Sequence, residues 1–289
     1  MKLQFIILCM VSMHFIIAEN KDIVQDISLP TVIFIHGTLF PFITKLVHKV
    51  ECPPGIHSAR TLKNQNALKY LSTWLYEAAE KEFPLDSFYF YGWPGTLSFK
   101  DRLEAAEELY NFLRTCKTPV TIIGHSHGCN VALYLAKIAE KHSDISLSID
   151  KLILLACPVQ EVTASYINAS VFKQIYHFYS ADDFAQVCDP QGLYSDAHKQ
   201  IPGSIPFFSQ RTFKPAPHLI QVQVLLNKQS PGHNDFILKE EFLKKLPALV
   251  SLVHKEASRK SALEKGAHFV LDIAPYNELS IIEKIVSRS

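Results

Sequence analysis

The stretch from Val120 to Leu133, VTIIGHSHGCNVAL, constrains the fold more than any other. Val120, Ile122 and Ile123 form a short apolar, β-branched run, which reads as a buried strand. The chain then passes through Gly124-His125-Ser126-His127-Gly128 into an Ala/Leu-rich segment with the composition of a helix. A strand that reverses directly into a helix over one serine requires a very tight turn. The residues two before and two after the serine crowd each other there, and only the smallest side chains fit. Gly124 and Gly128 meet that condition, and the strained backbone lifts the Ser126 hydroxyl clear of the sheet at a helix N-terminus. On its own the pentapeptide is also compatible with an ordinary strand–helix turn carrying an incidental serine. Its place at a strand–helix junction, and the partners described below, favour the first reading.

The rest of the chain repeats the alternation. Strands are expected at Thr31–Ile35, Phe88–Trp93, Leu152–Ala156, Gln174–Tyr179 and Leu219–Leu226, the last read as the final central strand. Helical spacing of apolar residues marks 60–83, 98–115, 129–142 and 239–260, while Phe269–Leu271 and Ile281–Ile282 are ambiguous. Strands alternating with helices predict a mostly parallel sheet covered on both faces, a three-layer α/β architecture. With 289 residues, no internal repeat and no polar linker, residues 19–289 read as one domain. The segment 184–217, rich in proline and without a clean period, reads as an irregular cap-like excursion over it.

Composition narrows the partners. Basic and acidic side chains number 29 and 28, a formal net charge of +1, which gives no footprint for nucleic acid or for a strongly charged substrate. Residues 1–18 begin Met1-Lys2, run apolar to Ala18 and end at Glu19-Asn20-Lys21-Asp22, the pattern of a secretory signal peptide. Secretion or delivery to the periplasm or cell envelope follows from that reading. An uncleaved membrane anchor or a buried N-terminal strand are the alternatives. Six cysteines become five once Cys9 is removed with the signal, so a complete disulfide framework is excluded. Cys129 and Cys157 sit in apolar positions and read as core, whereas Cys52 and Cys188 stand in loop-like sequence and could pair. No Cys-x-x-Cys spacing supports zinc.

A serine hydroxyl needs a base to take its proton, and the base needs a group to orient it. In strand–turn–helix serine enzymes the chain order is serine, acid, histidine. Ser126 comes first. Asp182 and Asp183 follow the strand ending at Tyr179, and His233 follows the strand ending at Leu226. Carboxyl ends of parallel strands gather on one edge, where such groups belong. Among 13 histidines, His125 and His127 flank the serine and point away from its hydroxyl, His218 stands at the wrong end of its strand, and His254 and His268 lack a strand-then-loop context. His233 is therefore the candidate base. Asp182 is preferred as the acid if Phe184 turns inward, with Asp183 as the alternative; Asp189 and Asp196 fall in the irregular segment. Backbone N–H groups of His127 and of Thr38, in the His36-Gly37-Thr38 turn after the first strand, stand where a developing oxyanion would be bound.

On Ile35-His36-Gly37-Thr38, the Gly124–Gly128 motif, Asp182 and Gly232-His233-Asn234-Asp235, the chain resembles serine esterases and lipases of the α/β-hydrolase fold over roughly residues 30–255. The resemblance implies an acyl-serine intermediate, no cofactor, and hydrolysis of carboxylic esters, lipase-like with an apolar acyl group. Thioesterase, amidase or acyltransferase chemistry on the same triad remains open, as does a binding protein that kept the scaffold and lost turnover. The family's longer glycine-rich oxyanion loop is replaced by Thr38-Leu39-Phe40-Pro41. Leu39 and Phe40 are candidate substrate contacts, and the apolar loops around them and around Ile205–Phe213 either line an acyl pocket, form a lid that meets a lipid interface, or simply pack on the core.

Overall fold

A computed structural model describes residues 29–38, 52–62, 66–143, 147–187, 211–259, 265–273 and 279–285. The expected signal segment at 1–18, the proposed contacts Leu39 and Phe40, Cys188, Asp189, Asp196 and most of the 184–217 excursion lie outside the described residues. In chain order the elements are β1 (Thr31–Ile35), β2 (Gly55–Ser58), α1 (Ala67–Ala78), β3 (Phe88–Gly92), α2 (Phe99–Leu113), β4 (Val120–His125), α3 (His127–Lys141), β5 (Lys151–Leu155), α4 (Glu161–Ala164), β6 (Ile175–Tyr179), α5 (Phe184–Val187), β7 (Leu219–Leu226), α6 (Asp235–Leu238), α7 (Glu240–Arg259), β8 (Ala267–Ile273) and β9 (Leu279–Ile285).

The nine strands form one sheet in the order β2-β3-β1-β4-β5-β6-β7-β8-β9. The inner seven are parallel, and β2 and β9 close the two edges antiparallel. Along β1 the residues alternate between the two faces. Val32 and Phe34 join one core with Leu68, Leu71 and Leu75 of α1 and Phe242 and Leu246 of α7; Ile33 and Ile35 join the other with Leu109 of α2 and Val131 and Leu135 of α3. All five β1 residues are buried, which explains why parallel strands here are continuous apolar runs rather than alternating ones. Each fully buried leucine of α1 stabilises the fold by roughly 1.5–3 kcal/mol.

Three expectations are corrected. The helix read over 60–83 is shorter: the Asn66 side chain accepts from Leu68 N at 3.0 Å and caps α1 at Ala67. The stretch before it contains β2, a half-buried four-residue edge strand paired with β3 that a proline-rich neighbourhood conceals. The strand ending at Leu226 is not the last of the sheet: the ambiguous tail supplies β8, parallel to β7, and β9. Cys52 is buried and free, and its considered partner Cys188 lies outside the described residues, while Cys129 and Cys157 are buried and free as core residues. Among the described residues no helix is long and apolar enough to cross a membrane.

Candidate active site

Parallel strands place their following loops on one edge of the sheet, and four such loops carry the candidate residues. β1 leads into His36-Gly37-Thr38, β4 into Ser126, β6 into Asp183 and β7 into His233. Ser126 has φ 52° and ψ −129°, a left-handed backbone rare for a residue with a Cβ. The strain is held by Ser126 N donating to Leu155 O at 2.9 Å and Cys129 N donating to Ser126 O at 3.0 Å. The glycines are required by contact. A Cβ on Gly124 would stand 2.8 Å from Cys129 Cα, and one on Gly128 would stand 2.4 Å from Ile35 O. A left-handed serine between β4 and α3, over a sheet ordered β3-β1-β4-β5-β6-β7 with a hydrogen-bonded aspartate and histidine after β6 and β7, decides the architecture.

The chain has the α/β-hydrolase fold. Within it, His233 Nδ1 lies 2.7 Å from Asp183 Oδ2. The Asp183 side chain is fully buried and the His233 side chain is 18% exposed. A buried carboxylate accepts from Nδ1–H, which fixes the tautomer and leaves Nε2 of the neutral ring with its lone pair. Asp183 rather than Asp182 is the partner, so the preference drawn from the sequence is reversed. Its premise was an inward Phe184, but Phe184 is 75% exposed and Asp182 is exposed, while Asp183 turns inward. Among the described contacts none joins the Ser126 hydroxyl to the His233 ring; the link between elbow and base runs through His125. Such bonds commonly close only with substrate in place.

The loop after β1 lies directly on the serine. A Cβ built on Gly37 would fall 2.6 Å from Ser126 Cβ and 3.2 Å from its Oγ, so only a glycine lets this loop pack on the serine. That loop is pinned by His36. Its Nδ1 donates to Gly37 O at 2.7 Å, its Nε2 accepts from Trp93 N at 3.2 Å, and the Trp93 indole donates to His36 O at 2.8 Å. Burial pushes the His36 ring down to about 4, which keeps it neutral in this role. Next in the loop, the Thr38 hydroxyl is buried with no hydrogen-bond partner among the described residues. On the other side, His127 opens α3, so its N–H is not part of the helix ladder.

Sequence reasoning missed Arg102. It is fully buried, sits 4.7 Å over the Phe99 ring, and its Nη1 approaches His127 Nδ1 at 3.2 Å while Nη2 donates to Gln160 Oε1 at 3.4 Å. An arginine on an amphipathic helix looks solvated in one dimension, and only the close packing of α2 on α3 buries it. The same holds for His125, set aside as a base and found against His233. Of the other histidines, His268 lies within β8 and pairs with Tyr179 Oη at 2.6 Å, and His254 pairs with Tyr176 Oη at 3.0 Å. Among the described residues no cluster of His, Cys, Asp or Glu could hold a metal ion.

Solved structures similar to this chain include an esterase of Pyrobaculum calidifontis, 10% identical with a TM-score of 0.41, covering 80% of this chain and 77% of that one. A Rhizomucor miehei esterase is 11% identical with a TM-score of 0.40, covering 80% and 76%. BorB, a type II thioesterase from the borrelidin biosynthetic cluster, is 15% identical with a TM-score of 0.34, covering 80% and 91%. No protein-family model matches the chain, and no curated protein does.

Proposed function

We propose that the chain is a serine hydrolase that cleaves carboxylic esters or thioesters through an acyl-serine intermediate. The observation that carries this reading is the 2.7 Å Asp183–His233 hydrogen bond on the same sheet edge as a strained Ser126. Ser126 Oγ attacks the acyl carbonyl while His233 Nε2 takes its proton. The N–H groups of Thr38 and His127 bind the oxyanion, and Asp183 stabilises the imidazolium. His233 then gives the proton to the leaving alcohol or thiol, and water repeats the sequence on the acyl-enzyme. No step uses a metal or an organic cofactor. Leu39 and Phe40, which follow Thr38 directly in the chain, are assigned to the acyl group, making the substrate an apolar ester of the lipase type.

Ser126→Ala tests the reading. Hydrolysis of p-nitrophenyl acyl esters and acyl thioesters, and labelling by a fluorophosphonate, are expected to disappear while far-ultraviolet circular dichroism is unchanged. Turnover at the parent rate in that variant would refute the assignment. A series of acyl lengths then tests the apolar pocket, with the specificity constant expected to rise from acetyl to longer chains.

A further inference from the structure

We propose that His125 is a positioning residue that holds the His233 peptide to the central strand of the sheet, so that the base is fixed at two points. The inference rests on the hydrolase reading above. His125 is the last residue of β4 and only 4% exposed. Its Nε2 lies 3.1 Å from His233 O, and the two ring centroids are 4.9 Å apart at 48°. A carbonyl oxygen only accepts, so His125 Nε2 carries a proton, and burial, which pushes the ring down to about 3, keeps it neutral.

The contact matters because of what else holds the base. Around His233 the loop closes on itself: Asp235 N donates to Gly232 O at 3.0 Å, and Gly232 N donates to Asp235 Oδ2 at 3.0 Å. These bonds shape a turn but do not tie it to the sheet. Asp183 grips the ring through Nδ1, which leaves the ring free to pivot about that bond. The His125 donor stops the pivot from the peptide side, and it comes from the residue next to Ser126. Nucleophile and base therefore share one rigid origin, the end of β4, although they stand 107 positions apart in the chain. Burial is the main opposition to protonating His125, and charge on the His233 and His36 rings adds to it, while the bond to His233 O works the other way.

His125→Phe keeps the ring volume and removes the donor; His125→Gln keeps an N–H donor. Rates are measured on a p-nitrophenyl acyl ester and divided by the sites titrated with a fluorophosphonate, which removes any loss of folded protein. His125→Phe is expected to lower kcat ten- to a hundredfold with KM within about twofold, because a misplaced base costs the chemical step and not ground-state binding. His125→Gln is expected to recover most of that loss. An unchanged kcat in His125→Phe, or a loss that His125→Gln does not relieve, overturns the inference and leaves the hydrolase reading intact. A parent protein with neither turnover nor labelling overturns both. If His125→Phe does not fold, the nitrogen-15 spectrum of the parent decides: an Nε2–H tautomer at His125 supports the contact, and an Nδ1–H tautomer overturns it.

Discussion

Asp182 and Asp183 share a peptide bond and have opposite surroundings. One is exposed; the other is 1% exposed and bonded to His233. A buried carboxylate is costly unless it is hydrogen-bonded, and the His233 imidazole meets that need at 2.7 Å. In the proposed mechanism Asp183 sets the tautomer of the base. Asp183→Asn would present an amide donor to Nδ1 and favour the wrong tautomer, with an expected fall in kcat on the order of 10³–10⁴. Asp182→Asn changes an exposed group and is expected to leave kcat within about twofold. Steady-state rates on one p-nitrophenyl ester compare the two directly, and a larger loss in Asp182→Asn would exchange their roles.

Between β4 and α3 the chain has no spare room. The backbone of β1 packs against the first turn of α3, so a Cβ at Gly128 would meet Ile35 O at 2.4 Å and His36 O at 2.5 Å. Neither obstacle is a flexible side chain, so relief requires the helix or the strand to move. Gly128→Ala is expected to cost more than about 2 kcal/mol. It would also displace the loop that carries Gly37 and Thr38, so activity is lost with stability. Gly232→Ala is the matched control. Its nearest atom is Asp235 Oδ2 at 3.6 Å, and stability is expected to change by less than about 1 kcal/mol. Urea unfolding followed by circular dichroism checks both. A Gly128→Ala variant as stable as the parent would mean that the close approach of β1 and α3 is wrong.

Across the whole molecule, three buried histidines stay neutral inside the fold. Burial pushes His36 down to about 4 and both His125 and His177 down to about 3. The unfolded rings titrate near 6.5, so the unfolded chain binds more protons below that value. The stability these groups contribute is complete above pH 6.5 and falls away as the pH drops toward 4 and 3. Each removes about 1.4 kcal/mol per pH unit, or about 4 kcal/mol for the three between about pH 7.5 and about pH 5.5. The urea midpoint is therefore expected to fall steeply over that interval. A flat midpoint would show that these rings take up protons without unfolding, and hence that they are not sealed.

The order of strands and helices, the turn at Ser126 and the candidacy of His233 were legible in the sequence because each depends on local pattern: apolar runs, small residues at a crowded turn, a histidine after a strand. The edge strand β2 was not, since its half-buried residues lack the two-sided burial that makes a run conspicuous. The choice between two adjacent aspartates, the burial of Arg102 and the contact of His125 with His233 were decided only by tertiary structure. Each depends on which way a side chain faces once distant segments meet, and neighbours along a chain carry no record of that direction.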